Sequence, residues 1–223
     1  MAELITGLDA GLVGERVAEA RERIEQAAKR VGRDPADVEL LAAVKYVALD
    51  ELGTLADAGL TLLGENRAQE LVAKATAYPS TFPWDFIGHL QSRKVKDVVP
   101  HARCIHSVAS DSVLAQLARH ARGGRDPIQV LVEVNIAGEA SKSGIAPADL
   151  PSFLARCPAA VVGLMTMPPA VQSPEQNRRH FAALRELAAA NGLRQLSMGT
   201  SQDYEVAVEE GATIVRLGST LYR

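Results

Sequence analysis

Val38-Glu-Leu-Leu-Ala-Ala-Val-Lys-Tyr46 is the stretch of this sequence that decides the fold class. The run is short and almost continuously apolar, which is typical of a parallel strand buried on both faces. A helical segment from Leu49 to Ala58 follows it, and Gly59 ends that segment. Because parallel strands need crossover connections, this order predicts an α/β protein in which strands and helices alternate.

The same alternation continues along the rest of the chain. It predicts further strands at Thr61–Gly64, Trp84–Gly88, Arg103–Ser107, Ile128–Ile136, Ala160–Met165, Gln195–Met198 and Thr213–Leu217. It predicts helices near Arg67–Ala77, Gln91–Val99, Asp111–Arg122, Ala148–Ala155, Pro174–Asn191 and Gln202–Glu210. Eight strands within 223 residues favour a single closed (β/α)8 TIM-type barrel over an open doubly wound sheet.

An amphipathic helix precedes the barrel. Apolar residues recur at three- and four-residue spacing from Leu12 to Val31, and Gly32 ends the pattern. Almost no sequence follows the eighth strand, so we expect this extra N-terminal helix to take the place of the eighth outer helix. The expected organisation is one domain, residues 1–223, with a leading helix (1–36) and a barrel (37–223).

Composition excludes several classes of protein. The charge balance of 24 basic and 27 acidic side chains offers no general attraction for nucleic acid or anionic lipid. The N-terminus lacks a signal-peptide pattern, and no apolar run approaches the roughly 18 residues that span a bilayer. Cys104 and Cys157 lack CxxC spacing, and the histidines lack metal-ligand spacing. We expect a cytoplasmic monomer with reduced thiols and no metal, nucleic-acid or membrane partner.

Lys45 is the first candidate for chemistry, because barrel active sites lie at the C-terminal ends of the strands. Alternation places it on the same face as Leu41 and Ala43. If that face lines the barrel interior, the amine is partly desolvated and available to form an imine with a carbonyl group. The alternative is a lysine that extends to water from the end of a strand.

Two turns near the C-terminus add a second indication. Ser197-Met-Gly-Thr-Ser201 leads into a helix, and Thr200-x-x-Asp203 fits a capping box that gathers N–H groups at a helix N-terminus. Arg216-Leu-Gly-Ser219 supplies another small-residue turn. The loops after strands seven and eight often bind phosphate in such barrels. Together with Lys45, the turns predict a phosphorylated carbonyl ligand, either pyridoxal 5′-phosphate (PLP) or a sugar phosphate.

Four other polar residues lie in or near the ends of predicted strands, and each has two interpretations. His89 and His106 have the chemistry of an acid or a base, but the hydrogen-bonded structural role is the favoured interpretation. Asn66 and Asn135 are suited to orienting a ring or a phenolic oxygen, and equally to capping a loop.

The ordered motifs resemble those of the pyridoxal phosphate homeostasis protein family, which is related to the barrel domain of alanine racemase. The motifs are Leu41-Ala-Ala-Val-Lys45, Gly64-Glu-Asn-Arg-Ala-Gln-Glu70, Trp84-Asp-Phe-Ile-Gly-His-Leu-Gln-Ser-Arg-Lys94, Ile105-His-Ser-Val108, Val134-Asn-Ile-Ala-Gly-Glu-Ala-Ser-Lys-Ser-Gly144, Gly163-Leu-Met-Thr-Met167, Leu196-Ser-Met-Gly-Thr-Ser201 and Val215-Arg-Leu-Gly218. The sequence departs from the usual family pattern at Val44, at Thr200 and at the ending Leu221-Tyr-Arg223.

The resemblance implies a set of roles. Lys45 would hold PLP as a Schiff base, Asn66 and Met165 would line the ring, and Arg216 would face the pyridine nitrogen. The residues that would cradle the phosphate are Ser197, Gly199, Thr200, Ser201, Gly218 and Ser219.

The resemblance also implies a function, which is holding PLP for intracellular vitamin B6 and amino-acid homeostasis rather than catalysis. Apo forms of PLP-dependent enzymes would be candidate recipients of the cofactor. The main alternative is an amino-acid racemase, which needs two acid–base groups on opposite faces of its substrate. The length of the chain leads us to expect no second domain of the kind that supplies one of those groups in related racemases. A sugar-phosphate lyase or isomerase is a third interpretation, and it predicts no bound chromophore.

Overall fold

The computed structural model describes residues 4–120, 128–139 and 142–222, and its centre is a closed parallel barrel. The strands are β1 (Glu39–Ala43), β2 (Leu63–Glu65), β3 (Trp84–Phe86), β4 (Cys104–Val108), β5 (Gln129–Glu133), β6 (Ala160–Met165), β7 (Gln195–Thr200) and β8 (Ile214–Leu217). Each strand pairs in parallel with the next, and β8 pairs with β1 through the register Leu41 to Arg216. The (β/α)8 barrel is therefore confirmed.

Helices connect the strands on the outside of the barrel. They are α1 (Ala10–Arg30), α2 (Leu52–Asp57), α3 (Ala68–Ala77), α4 (Val95–Val98), α5 (Asp111–His120), α6 (Leu150–Arg156), α7 (Arg178–Ala190), α8 (Tyr204–Glu209) and α9 (Ser219–Tyr222). Single 3-10 turns lead into α2, α4, α6 and α7. The last two residues of the helix predicted at Asp111–Arg122 lie outside the described residues.

Several strand ends differ from the prediction. β2 runs from Leu63 to Glu65 rather than over Thr61–Gly64, because Glu65 pairs with Phe86 of β3. β5 ends at Glu133 instead of Ile136, and Val134 makes only an isolated bridge to Ile145. The end of a strand depends on which residues of the neighbouring strand can pair with it. A local apolar pattern does not contain that information.

Helix α1 completes the outer layer. Its apolar face is buried, and the helix packs against α2, α8 and α9. Arg30 near its C-terminus forms ion pairs with Glu205 and Glu209 of α8. The helix therefore lies between α8 and α2, which is where an outer helix after β8 would lie. Within the part of the chain that the structure describes, no helix is both long and apolar enough to cross a bilayer.

An apolar cluster of side chains lies inside the barrel. Its buried members are Leu41, Leu62, Cys104, Leu131, Met165 and Ile214. A larger core lies between the strands and the helices. Since Leu41 faces inward, the residues on the same face further along the chain lead toward the C-terminal mouth of the barrel.

Candidate functional site

A pocket with a volume of about 370 Å³ lies at the C-terminal mouth of the barrel, next to the ends of β1, β2, β7 and β8. Seven of the sequence-predicted residues line it: Lys45, Asn66, Thr200, Ser201, Arg216, Gly218 and Ser219. Seven further lining residues were not predicted: Ile5, Ala43, Tyr46, Ile87, Met167, Gln202 and Tyr222. The structure thus brings together Lys45 and both small-residue turns, which come from opposite ends of the sequence.

Lys45 follows the end of β1 at the rim of this pocket. Its face was correctly predicted, because Leu41 lies inside the barrel and Ala43 lines the pocket. The expected partial desolvation is absent, since the side chain is exposed. The ammonium nitrogen lies 4.7 Å from the centroid of the Tyr46 ring, a distance at which a cation–π contact forms. The amine is therefore held at the rim, within reach of a ligand.

Arg216 of β8 lies on the floor of the pocket and is buried. One terminal nitrogen of its guanidinium donates to the hydroxyl of Ser197, and the other donates to the carbonyl oxygen of Thr166 at 3.0 Å and contacts the Met167 sulfur at 2.8 Å. Burial lowers the pKa of Arg216 to about 10, opposed by the charges of Asp203 and Glu133. Every hydrogen-bond partner found among the described residues is neutral, so the floor carries a positive charge that lacks a directly contacting carboxylate.

A chain of hydrogen bonds through the barrel interior supports Arg216. The Ser197 hydroxyl lies 2.9 Å from Nδ1 of His106, and Nε2 of His106 lies 3.0 Å from the Asp85 carboxylate. Arg103 donates two hydrogen bonds to the same carboxylate, at 2.9 and 2.8 Å. Because an arginine only donates, Ser197 accepts from Arg216 and donates to Nδ1, and His106 keeps its proton on Nε2 for Asp85.

The charge states of this chain follow from burial and partners. Burial lowers the pKa of His106 and favours the neutral imidazole, although Asp85 opposes this effect. Burial would raise the pKa of Asp85, but hydrogen bonds from Arg103 and His106 hold it below its usual value. His106 therefore has the structural role that its sequence context favoured.

The two turns after β7 and β8 meet at Ser201. Its hydroxyl oxygen accepts from the backbone N–H of Gly218 at 3.2 Å and of Thr220 at 3.4 Å. The first distance is at the upper end of the usual range for N–H donors, and the second is beyond it. A stronger acceptor, such as a phosphate oxygen, would therefore compete with the Ser201 hydroxyl for these N–H groups.

The capping box expected at Thr200 needs a correction. The Asp203 carboxylate accepts from both the backbone N–H and the hydroxyl of Thr200, at 2.8 and 3.1 Å. However, α8 begins only at Tyr204, with Asp203 as its N-cap. Asn177 fixes the same carboxylate with a hydrogen bond of 2.8 Å. The N–H of Thr200 therefore has a partner within the protein and does not open a helix.

Three of the sequence-predicted residues lie outside the pocket lining. Met165 belongs to the apolar cluster inside the barrel, and Met167 lines the pocket in its place. Ser197 lies beneath Arg216. Gly199 has a φ of +90°, and a Cβ atom there would lie 2.6 Å from Cβ of Ala207, so the turn packs closely on α8. These residues shape the site from behind its surface.

Asn66 and Asn135 have different surroundings. The side-chain oxygen of Asn66 is buried at the pocket and finds no hydrogen-bond partner among the described residues. Leaving such an oxygen unpaired costs about 1–3 kcal/mol, which a ligand donor would recover. Asn135 instead donates to the carbonyl oxygen of Glu139 at 2.8 Å and caps a loop.

Comparison with known proteins assigns the family. Residues 16–223 match the family model of the alanine racemase N-terminal domain. The pyridoxal phosphate homeostasis protein of Aquifex aeolicus is 38% identical, and the alignment covers 93% of this chain and 96% of that protein. The protein of the same name from Pseudomonas aeruginosa is 39% identical, with 94% of each chain covered. The chain belongs to the pyridoxal phosphate homeostasis protein family.

Solved structures agree with this family assignment. A structure of PipY from Synechococcus elongatus with PLP bound is 31% identical, with a TM-score of 0.79, and the match covers 95% of this chain and all of PipY. A protein described as unknown from Bifidobacterium adolescentis is 34% identical, with a TM-score of 0.87 and coverage of 99% and 98%. The alanine racemase of Corynebacterium glutamicum, at 16% identity and a TM-score of 0.69, shares the fold. It matches over 99% of this chain and 63% of its own length.

Proposed function

We propose that this chain binds PLP at the barrel mouth and holds it for intracellular vitamin B6 and amino-acid homeostasis. The observation that carries the proposal is Arg216, a buried guanidinium with neutral partners on the floor of a pocket whose rim holds Lys45. A pyridine nitrogen is an acceptor that suits this donor, and an aldehyde is the group that an amine captures. PipY, a relative in the same family, has a structure with PLP bound.

The proposed roles follow the positions of the side chains. Lys45 forms the Schiff base, Arg216 donates to the ring nitrogen, and Asn66 lies beside the ring. The groups proposed for the phosphate are the hydroxyls of Ser201 and Ser219, the backbone of Gly218 and the turn at Thr200. Met165, Ser197 and Gly199 are proposed to support the cofactor from beneath. Bound PLP supplies an aldehyde for covalent capture and a conjugated ring that absorbs visible light.

Holding is favoured over catalysis by two features of the pocket. Arg216 does not give up its proton, so it leaves the ring nitrogen unprotonated and the ring a weak electron sink. Racemisation needs a second acid–base group, yet among the described lining residues there is no carboxylate, imidazole or thiol. The lining has two phenols: the ring of Tyr46 packs against the Lys45 ammonium, and the hydroxyl of Tyr222 is a poor acid–base group because burial raises its pKa well above the usual value.

In this proposal the protein is a cytoplasmic monomer. Its partners are apo forms of PLP-dependent enzymes. Cys104 and Cys157 are free thiols, which suits a reducing compartment. Transfer of PLP from the loaded protein to an apo-enzyme, followed as recovery of that enzyme's activity, tests carriage. Recovery no faster than from an equal concentration of free PLP would contradict it.

The visible spectrum of the purified protein tests the binding itself. We expect added PLP to give a yellow protein whose colour survives desalting. Lys45→Ala should lose the retained colour because it removes the amine, whereas Lys96→Ala, an exposed lysine on α4, should retain it. A folded wild-type protein that stays colourless would overturn the proposal. Conversion of L- to D-amino acids that disappears in Lys45→Ala would support the racemase instead.

A further inference from the structure

A buried ion pair lies directly behind the pocket, between Glu65 at the end of β2 and Lys74 on α3. The side chain of Glu65 is 0% exposed and that of Lys74 is 2% exposed, with 2.7 Å between the charged atoms. Removing two charges from water is costly unless every hydrogen-bonding group finds a partner. Both side chains also form hydrogen bonds with backbone groups, Lys74 with Val44 and Glu65 with Asn66 and Arg67.

Those contacts replace one of the backbone hydrogen bonds that would join β1 to β2. Between these strands, the N–H of Ala42 donates to the carbonyl oxygen of Leu62, and the N–H of Val44 donates to the carbonyl oxygen of Gly64. The regular spacing of a parallel ladder would next join the N–H of Asn66 to the carbonyl oxygen of Val44.

Instead, each of these two backbone groups forms a hydrogen bond with a side chain of the ion pair. The N–H of Asn66 donates to Oε1 of Glu65 at 2.7 Å, and the carbonyl oxygen of Val44 accepts from Lys74 at 2.7 Å. Glu65 also accepts from the N–H of Arg67 at 3.2 Å. The two strands therefore separate at this point without leaving a buried backbone group unpaired.

The separation occurs where the chain enters the pocket. Lys45 directly follows Val44, and Asn66 directly follows Glu65. We infer that Glu65 and Lys74 are positioning residues, which hold β1 and β2 apart at the barrel mouth and set where Lys45 and Asn66 present their side chains to the cofactor. This inference rests on the proposed function, and neither residue lines the pocket itself.

Lys74→Met tests the inference because it removes the ammonium and keeps a side chain of similar length. Leu117→Ala is the matched control, since it removes a fully buried side chain on α5, a helix that contributes no lining residue. Glu65→Asp serves as a second variant that keeps the charge but shortens the reach, in case Lys74→Met does not fold. The readouts are thermal stability, PLP affinity, the visible circular dichroism of the bound cofactor and amide hydrogen exchange of the unloaded protein.

We expect Lys74→Met to bind PLP at least tenfold more weakly than the wild type, with a changed visible circular dichroism. Glu65→Asp should bind PLP at least threefold more weakly than the wild type. In the unloaded proteins, exchange should accelerate in residues 43–46 and 64–67. Leu117→Ala should lose stability with none of these changes. If a folded Lys74→Met or Glu65→Asp protein keeps wild-type affinity and dichroism, the inference is overturned while the proposed function stands. A wild-type protein that takes up no PLP overturns both.

Discussion

Arg216 and Lys45 illustrate what could be predicted residue by residue. Both were identified from their places at strand ends, because the position of a side chain at the barrel mouth follows from the strand pattern. The exposure of Lys45 was not predictable, since it depends on how Tyr46 and the loop after β1 lie. Met167 was missed although it lies two residues beyond Met165, the spacing of one strand face.

Replacing Arg216 tests the charge on the pocket floor. Arg216→Gln removes the charged donor, and a hydrogen bond to a charged group contributes about 1.5–3 kcal/mol. We therefore expect PLP affinity to fall by about tenfold to a hundredfold, measured by equilibrium titration of the visible spectrum. Arg156→Gln, at an exposed ion pair with Asp111, should leave the affinity unchanged. Equal affinities for Arg216→Gln and the wild type would contradict the assigned contact.

His106 predicts a pH dependence of stability. Burial holds the pKa of His106 in the folded protein below the unfolded value of 6.5, so the unfolded chain binds the proton more readily. The stability contribution of the neutral imidazole is complete above pH 6.5 and is lost as the pH falls below that value. We expect thermal melts from about pH 7 to pH 5 to show a smaller decline for His106→Asn than for the wild type.

His180 provides the matched control for these melts. Its pKa is also lowered by burial and by Arg179, but the residue is only partly buried. His180→Asn should therefore change the decline less than His106→Asn does. Parallel wild-type and His106→Asn curves would show that the folded protein does not hold this imidazole neutral.

At the scale of elements, the succession of strands and helices was predictable but the turn after β7 was not. Alternating apolar runs identify strands because burial on both faces leaves a local pattern. Thr200-x-x-Asp203 looked like a capping box, but Asn177 holds the Asp203 carboxylate from another element and α8 begins at Tyr204. A contact between distant elements decided the geometry there. A contact between distant parts of the chain also places Ile5 at the pocket, because Ile5 forms a β-bridge with Val47.

The turn after β7 can be tested with two glycines. Gly199→Ala places a Cβ 2.6 Å from that of Ala207 at a positive φ, so the turn must shift. We expect a loss of about 1–3 kcal/mol in unfolding free energy and weaker PLP binding. Gly32→Ala has a similar φ of +69° with nothing within 4 Å and lies after α1, so it should lose about 1–2 kcal/mol and bind PLP normally. Denaturant unfolding and PLP titration provide both values, and normal binding by Gly199→Ala would contradict the role of the turn.

In the molecule as a whole, α1 is part of the outer layer of the barrel and not a separate N-terminal extension. Its apolar spacing predicted a buried face, and the structure packs that face against α2, α8 and α9. The sequence could not show which helices it meets, because the contacts join opposite ends of the chain. A helix that closes the outer layer should unfold together with the barrel.

Ile24→Ala tests this cooperativity. The side chain is 4% exposed, and its truncation should lower the unfolding free energy by about 2–5 kcal/mol. Leu12→Ala, at a position 53% exposed on the same helix, should have little effect. We expect far-ultraviolet circular dichroism and tryptophan fluorescence to report one coincident transition for Ile24→Ala. A separate early transition confined to helical signal would show that α1 unfolds alone.

Borohydride reduction followed by peptide mass mapping tests whether Lys45 holds PLP at the barrel mouth. Reduction fixes an imine as a stable amine, so the label marks the lysine that captured the aldehyde. With one equivalent of PLP, we expect a single phosphopyridoxyl group on the peptide that contains Lys45. A folded protein labelled mainly on another lysine, or not labelled at all, would contradict it.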